Sequence, residues 1–577
     1  MIAIYLLFIG LSARLAQGTF FSGNYNHFKR QIDIDLFDWS TIEPSRNLSY
    51  TDCVDGFQCA RLLAPLDWSQ HGDSSCGLGE LNVNNSVALA IIKLPASVPE
   101  TDPSFGGTVM WNPGGPGGLA VMIAQIMSPM FQDMLDGTKH YEIVTFDPRG
   151  VGESTPQIKC FDHLWQRYMT MSKTEESISP RHGRAAVATQ LEQQAAIGEI
   201  CMEAGPDSIH AHSGSASVAR DMLHIVDKIE EERMTRLGPT FQPADGKPRL
   251  QYIGLSYGTT LGSYFASMFP GRVGRMLLGG LVDSESHRYG AGFDNIEDSE
   301  AAIDYVYEYC FETSCAFRLD TDTGPEDIKA RVQATLDWLD ETPVSNIQNK
   351  QIAMIRSVGL RQWLFWISYS WDEYMAARIA VLVSRDFSSE GQFFSPEDFE
   401  ESPFNTPLAW GSDTATVINC LDMQSKKPDM DIDWAHERYK AMEAEAPTAA
   451  EFRYLLAMRC ARWAIAPAYD FQEPFGAPSP DPDLAPDVPA APLFLLSNRY
   501  DPATPLAQAW TVSRQFPNSS VMILEVAGHD PFERAGECTL DAVRAYFEDG
   551  VVPPNGTTCE PAPTTHGGQS AMFPAMF

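Results

Sequence analysis

The chain has 577 residues, of which 41 are Lys or Arg and 76 are Asp or Glu, so its formal net charge at pH 7 is −35. So acidic a protein repels phosphate backbones, which argues against nucleic-acid binding. Hydrophobic residues make up 44% and aromatic residues 11% of the chain, a composition that excludes a disordered or fibrous protein. The length exceeds what one hydrophobic core usually serves, so we expect more than one structural unit.

The N-terminal sequence has the features of an export signal. An uncharged apolar run over residues 2–11 precedes Ala16-Gln17-Gly18, which puts small residues at positions −3 and −1 of a cleavage site. We therefore expect a signal peptide over residues 1–18. No segment reaches the roughly 20 apolar residues of a membrane span, so we expect no membrane in the mature form. Lys29-Arg30 either ends a pro-segment over residues 19–30 or is a solvated charge pair.

The sequons and the cysteines agree with export. Sequons occur at Asn47, Asn84, Asn518 and Asn555, which makes a secreted glycoprotein the expectation. The 11 cysteines fall into local groups, and pairing within each group gives five disulfides and one free cysteine among the first three. The groups are Cys53, Cys59 and Cys76; Cys160 and Cys201; Cys310 and Cys315; Cys420 and Cys460; Cys538 and Cys559. No C-x2-C pair and no H-E-x-x-H motif occurs, so no zinc site is predicted.

Strands alternate with helices over residues 82–283. The predicted strands cover residues 87–94, 107–111, 141–146, 250–254 and 275–281. The predicted helices cover residues 119–135, 185–204 and 215–232. This alternation predicts an α/β fold with a mostly parallel sheet that helices cover on both faces.

The rhythm changes after residue 285. Residues 286–485 are rich in Trp and Tyr and have helical periodicity, with helices predicted over 301–311, 325–339 and 358–384. Seven prolines over residues 474–492 indicate a linker or surface crossing, after which strands (493–496, 521–526) and helices (506–515, 539–547) resume. We therefore predict one α/β core built from residues 31–285 and 486–561, a helical lid inserted over 286–485, and a disordered tail over 562–577.

A candidate nucleophile lies in Gly254-Leu255-Ser256-Tyr257-Gly258, which matches G-x-S-x-G. The pentapeptide alone also fits an ordinary turn serine. Here, however, it directly follows a predicted strand and precedes a helix-like run, the setting in which a strained turn exposes a nucleophilic serine hydroxyl. The context therefore favours Ser256 as a nucleophile.

The serine hydroxyl needs a base, and the base needs an orienting carboxylate. Asp501 and His529 each follow one of the two late strands, in the turns SNRYDPATP and AGHD. We predict Asp501 as the acid and His529 as the base. Asp530 and Asp541 compete for the acid role, but Asp530 is adjacent to His529 in sequence and cannot easily face the outer ring nitrogen.

The turn Asn112-Pro113-Gly114-Gly115-Pro116-Gly117-Gly118 follows an early strand and is the candidate oxyanion loop. A glycine-rich turn there brings bare backbone N–H groups towards the nucleophile, where each oxyanion donor contributes on the order of 3 kcal/mol. Gly114 or Gly115 is the predicted donor from this loop, and the N–H of Tyr257 is the second.

These motifs together resemble the tripeptidyl aminopeptidase branch of the α/β-hydrolases, which belongs with the prolyl-aminopeptidase-related serine peptidases. The resemblance rests on NPGGPGG, FDPRGVGEST, GLSYGTTLGSYFASMFPGRVGRMLL and LLSNRYDPATPL, and on the cysteines of INCLD and CARW in a TAP-like C-terminal region. It implies an α/β-hydrolase fold with Ser256, Asp501 and His529 as the catalytic triad. It also implies a structural role for the loop that contains Asp147, Arg149, Gly150, Gly152 and Ser154.

The resemblance makes a secreted exopeptidase that releases short peptides from free N-termini the expected function. The substrate's amino group would then bind lid carboxylates, for which Glu297, Asp298, Glu300 and Asp304 are candidates. Two alternatives remain: an esterase, lactonase or amidase of a small metabolite, and a non-catalytic binding relative. No metal or organic cofactor is expected.

Overall fold

The computed structural model describes residues 37–54, 56–71, 81, 85–175, 179–238, 248–290, 295–348, 351–385, 411–424, 427–476 and 489–563. The predicted signal peptide and pro-segment, the sequon at Asn84, Cys76 and nearly all of the predicted tail lie outside these residues. No helix of the described part is both long and apolar enough to cross a membrane.

The described strands are β1 (Thr51–Asp52), β2 (Gln58–Pro65), β3 (Ser86–Leu94), β4 (Phe105–Asn112), β5 (His140–Phe146), β6 (Leu250–Leu255), β7 (Val273–Gly279), β8 (Val344–Gln348), β9 (Gln351–Ile355), β10 (Leu493–Tyr500), β11 (Ser520–Ala527) and β12 (Thr557–Cys559). All of them except β8 and β9 form one ten-stranded sheet in the spatial order β1-β2-β3-β5-β4-β6-β7-β10-β11-β12. In this order, neighbours from β5 to β12 pair in parallel, whereas neighbours from β1 to β5 pair antiparallel. The predicted mostly parallel sheet is therefore confirmed.

Helices cover the sheet and fill the insertion between β7 and β10. Those before β7 are α1 (Ala120–Leu135), α2 (Leu164–Glu175), α3 (Arg184–Met202), α4 (Ile209–His212), α5 (Ser215–Leu237) and α6 (Tyr257–Met268). Those between β7 and β10 are α7 (Ser284–Arg288), α8 (Ser299–Thr313), α9 (Pro325–Glu341), α10 (Ser357–Tyr369), α11 (Glu373–Ser384), α12 (Gly411–Met423), α13 (Ile432–Glu445) and α14 (Pro447–Arg453). The last two are α15 (Leu506–Gln515) and α16 (Glu537–Asp549).

The insertion differs from its prediction in two places. Strands β8 and β9 form an antiparallel hairpin where only helices were expected. Their sequences, VSNIQ and QIAMI, lack the strict apolar-polar alternation of a half-buried strand, so periodicity did not identify them. The single helix predicted over residues 358–384 is two helices, because the Asp372 side chain accepts the Met375 N–H at 2.8 Å and starts α11 there.

Five disulfides link the described cysteines within the local groups. The pairs are Cys53–Cys59, Cys160–Cys201, Cys310–Cys315, Cys420–Cys460 and Cys538–Cys559. The first pair resolves the choice within the first group. Cys76 is thus the cysteine outside these five pairs.

A fully buried ion pair joins the loop after β5 to helix α5. The Nε and Nη2 atoms of Arg149 each donate to a carboxylate oxygen of Asp221 at 2.7 Å, and the Trp68 indole donates to Asp221 Oδ1 at 2.8 Å. Both charged side chains have no exposed surface. The loop motif therefore has the structural role that the resemblance implies, since Arg149 also donates to the Pro65 and Leu66 carbonyls at the end of β2.

We predict that Asp221→Ala lowers the free energy of unfolding by about 3–5 kcal/mol, because Arg149 is left as a buried, unpaired charge. Equilibrium denaturation in urea measures this loss. The matched control is Asp541→Ala, which removes an exposed carboxylate 3.4 Å from Arg544. Exposed pairs contribute little, so the control should unfold almost like the wild type, and equal effects of the two substitutions would contradict the prediction.

Candidate active site

The carboxyl ends of the central parallel strands meet at one edge of the sheet. Asn112 at the end of β4 pairs with Gly254, and Gly279 at the end of β7 pairs with Leu496. Tyr500 of β10 lies beside Ala527 of β11. Ligands of open α/β sheets bind at this edge. The register therefore brings the turns that hold Ser256, Asp501 and His529 to one side of the sheet.

Ser256 occupies a strained turn between β6 and α6. Its φ of 55° and ψ of −125° are rare for a residue with a side chain. Its N–H donates to the Gly279 carbonyl at 2.9 Å. The flanking glycines are required by space: a Cβ on Gly254 would lie 2.5 Å from the Gly258 oxygen, and one on Gly258 would lie 2.6 Å from the Asn112 oxygen. The turn thus has the geometry that exposes a serine hydroxyl.

His529 and Asp501 form a buried hydrogen-bonded pair. The imidazole Nδ1 lies 3.0 and 2.9 Å from the two carboxylate oxygens of Asp501. The exposed fractions are 2% for His529 and 0% for Asp501. The carboxylate also accepts the N–H groups of Ala503 and Thr504, each at 2.9 Å, and the Thr504 hydroxyl at 2.8 Å. Asp501 therefore fixes the imidazole, whose buried Nε2 has no hydrogen-bond partner among the described residues.

The two competing carboxylates are occupied elsewhere. Asp530 accepts the Phe532 N–H at 2.9 Å within its own turn. Asp541 lies on the exposed side of α16 beside Arg544. Of the three candidate acids, Asp501 alone is bonded to the ring of His529.

The glycine-rich loop after β4 crosses directly over the serine. A Cβ on Gly114, whose φ is 94°, would lie 2.8 Å from the Ser256 Cβ and 2.9 Å from the Tyr257 nitrogen. The Gly114 N–H already donates to the Asn112 side chain at 2.9 Å. Gly115 is thus the better candidate donor from the loop. Tyr257 is the first residue of α6, a position whose N–H has no partner within the helix.

Tyr369, the last residue of α10, is a site residue that the sequence analysis missed. Its ring centroid lies 4.4 Å from that of the His529 imidazole, and its carbonyl accepts the His529 N–H at 2.8 Å. Its phenol interacts with the Ser256 side chain, and burial raises the phenol pKa well above its usual value. Tyr369 lies in the insertion, outside any strand-turn pattern, so no local signal identifies it.

The four predicted lid carboxylates have different surroundings. Glu300 accepts the Thr448 N–H at 2.8 Å, and Asp304 pairs with Lys329 at 2.6 Å, so both have structural partners. Asp298 accepts the Leu506 N–H at 3.1 Å. Burial, and to a smaller extent the charges of Glu297 and Asp501, raises the Asp298 pKa to about 6, although the hydrogen bond from Leu506 opposes the shift. Of the four, Asp298 is therefore the carboxylate that interacts with the triad acid Asp501.

A second group of buried acidic side chains lies beside His529. Glu533 accepts the Ser370 hydroxyl at 2.8 Å, next to Tyr369 in the chain. Burial raises the Glu533 pKa to about 8, and the charges of Asp530 and Asp372 contribute in the same direction. Within the described ranges, no group of three or more His, Cys, Asp or Glu side chains is arranged to hold a metal ion.

The described sequons are accessible. Asn47, Asn518 and Asn555 are all exposed, although the Asn555 Oδ1 accepts the Val521 N–H at 2.9 Å. Glycosylation at these positions remains a prediction.

Two protein-family models match separate parts of the chain. The model described as "alpha/beta hydrolase fold" matches residues 107–296, and the model described as "TAP-like protein" matches residues 446–559. The chain is an α/β hydrolase with a TAP-like C-terminal region. The resemblance of the sequence motifs to α/β-hydrolases with a TAP-like C-terminal region is therefore confirmed.

Similar curated proteins cover most of this α/β hydrolase. Serine protease Hip1 of Mycobacterium tuberculosis is 24% identical over 87% of each chain. Carboxylesterase B of the same organism is 25% identical over 87% of this chain and 86% of its own. Tripeptidyl aminopeptidase of Streptomyces coelicolor is 22% identical over 88% and 84%. The chain is thus a serine hydrolase whose relatives include peptidases and a carboxylesterase.

Solved structures to which the chain is similar include an acetylester hydrolase from Corynebacterium glutamicum, at 11% identity, 85% and 96% coverage of the two chains and a TM-score of 0.31. Epoxide Hydrolase A from Mycobacterium thermoresistibile is 13% identical, with 82% and 97% coverage and a TM-score of 0.30.

We predict that Glu533→Gln stabilises the protein more at pH 9 than at pH 5. The raised pKa means that the folded state keeps a proton which the unfolded state releases, so wild-type stability falls as pH rises from about 4.5 towards 8. Glutamine removes this loss. Thermal unfolding at the two pH values measures the difference.

The control for this prediction is Glu525→Gln. The Glu525 pKa is lowered by a hydrogen bond from Arg499, so the linkage has the opposite sign and this variant should gain nothing at high pH. A Glu533→Gln variant whose melting temperature differs from that of the wild type by the same amount at both pH values would contradict the prediction.

Proposed function

We propose that this serine hydrolase is a secreted exopeptidase that releases short peptides, tripeptides in particular, from free N-termini. The Ser256 Oγ attacks the scissile carbonyl and gives its proton to His529 Nε2. The N–H groups of Tyr257 and of Gly115 or Gly114 stabilise the resulting oxyanion. The imidazolium then protonates the leaving amine, and a water activated by His529 releases the acyl peptide.

One observation carries the acyl-transfer part of this proposal. The Asp501 carboxylate binds His529 Nδ1 and leaves a buried Nε2 without a partner among the described residues, on the edge of the sheet where Ser256 lies. Asp501 so placed keeps the proton on Nδ1 and makes Nε2 the basic atom. A non-catalytic relative would have no need of this arrangement.

Three further observations support a peptide substrate and export. Relatives along most of the chain carry the names serine protease and tripeptidyl aminopeptidase. The acidic side chain of Asp298, which interacts with the triad acid, suits a substrate with a free amino group. The five disulfides favour an oxidising compartment outside the cytoplasm.

The second candidate is a hydrolase of small esters, lactones or amides. It uses the same three catalytic side chains, and the similarity to a protein named Carboxylesterase B favours it. The two candidates differ in what the insertion binds, since fold alone does not fix the substrate.

We predict that the enzyme cleaves a free tripeptide anilide and leaves the N-acetylated anilide intact, because acetylation removes the positive charge that an exopeptidase must bind. A short-chain nitrophenyl ester completes the panel, and released chromophore is the measurement. Ser256→Ala should abolish turnover of every substrate. Ser263→Ala removes a buried hydroxyl from α6, the helix that begins directly after Ser256, and should retain activity. Turnover of the ester alone would overturn the exopeptidase proposal in favour of the second candidate.

A further inference from the structure

A chain of three buried side chains connects the insertion to the residue that follows the nucleophile. Asp422 lies near the end of α12, Ser215 is the first residue of α5, and Tyr257 is the first residue of α6. The Ser215 hydroxyl lies 2.5 Å from Asp422 Oδ2 and 2.5 Å from the Tyr257 hydroxyl. All three residues are at most 5% exposed.

The hydrogen bonds that link Tyr257, Ser215 and Asp422 all donate towards Asp422. Asp422 Oδ1 accepts the Ser215 N–H at 2.8 Å, and Oδ2 accepts the Ser215 hydroxyl proton. A serine hydroxyl has a single proton, so the Ser215 oxygen can only accept from Tyr257. Burial raises the pKa of the Tyr257 phenol well above its usual value, which keeps it a donor. The order is therefore Tyr257 to Ser215 to Asp422.

Asp422 is held firmly at the far end of this chain. The disulfide Cys420–Cys460 fixes α12 two residues before it. The N-terminus of α5 favours a negative charge at this position. Burial nevertheless raises the Asp422 pKa to about 7, although the two hydrogen bonds from Ser215 oppose the shift; the charge of Asp470 contributes to the rise and that of Arg288 opposes it. The carboxyl group is thus costly to bury, and both of its hydrogen bonds among the described residues come from Ser215.

We propose that Asp422 is a positioning residue of the hydrolase, which acts through Ser215 to fix the Tyr257 ring and thereby the Tyr257 N–H that stabilises the oxyanion. The inference rests on the proposed acyl-transfer function. It also assigns a task to the insertion beyond covering the site, because α12 belongs to the insertion whereas Tyr257 belongs to the core.

The geometry of Tyr257 explains how a hydrogen bond to its phenol can fix the position of its backbone N–H. One residue carries the anchored phenol at one end and the oxyanion donor at the other, and its backbone begins a helix directly after the strained Ser256. An oxyanion donor must lie about 2.7–3.1 Å from the developing charge, and complete loss of one donor costs roughly 10²–10³-fold in kcat. A donor that is displaced should cost less, on the order of tenfold.

The test compares Tyr257→Phe, Asp422→Asn and the double variant. Phenylalanine removes only the hydroxyl and keeps the N–H. Asparagine turns an amide N–H towards Ser215 and so opposes the direction of the chain. Each single variant should lower kcat and the burst rate of acylation by nitrophenyl acetate about tenfold, with KM unchanged. The double variant should lose no more than one single variant, because both break the same chain.

The control is Asp413→Asn, which alters another buried carboxylate of α12, one that binds Arg167 at 3.0 Å. It should lower the melting temperature and leave kcat unchanged. If Asp422→Asn does not fold, the kcat and burst rate of Tyr257→Phe alone test the inference. Unchanged kcat in the single variants, or losses that multiply in the double variant, would overturn the inference while the proposed function stands. A wild-type enzyme whose turnover is unchanged by Ser256→Ala would overturn both.

Discussion

The hydrogen bond between Asp501 and His529 lies in the protein interior, and the groups around it hold both side chains in position. A carboxylate without exposed surface must have its oxygens satisfied by donors, and here two backbone N–H groups and the Thr504 hydroxyl share that task with the imidazole. Exclusion of water strengthens the bond and fixes the ring. Parallel pairing of β10 with β11 sets the distance between the two turns.

The insertion completes the site that the sheet begins. Tyr369 packs on the His529 ring and accepts its backbone N–H, so the base is held from the sheet side and from the insertion. Ser370 of the insertion donates a hydrogen bond to Glu533, which lies in the loop that contains His529. Asp422 of the insertion accepts a hydrogen bond from Ser215 of the core. Displacement of the insertion would therefore disturb the base and the first turn of α6 together. This coupling explains why polar groups of the insertion are buried against the core at considerable cost.

The sequence predicted the features that depend on local pattern. The central strands, the turn at Ser256 and the order of Asp501 and His529 follow from apolar runs bounded by turn residues, and a parallel sheet brings such turns together at one edge. Tyr369, Glu533 and Asp422 could not be found in this way, because their contacts join residues far apart in the chain. The hairpin of β8 and β9 was missed because its strands lack regular apolar-polar alternation, and β1 and β12 were missed because strands of two or three residues show no periodicity. Asp530 could be set aside as the triad acid from sequence alone, but its contribution to the raised pKa of Glu533 depends on packing.

Phosphonylation by a fluorophosphonate probe, located by mass spectrometry, tests the account most directly. The probe reacts with a serine that a neighbouring base has activated. We predict a single adduct on Ser256, formed roughly 10⁴-fold more slowly in Asp501→Asn because the imidazole then adopts the wrong tautomer. Asp541→Asn, which changes an exposed carboxylate, should react like the wild type. An adduct on another residue, or an unchanged rate in Asp501→Asn, would contradict the assignment of Ser256, His529 and Asp501 as one catalytic unit.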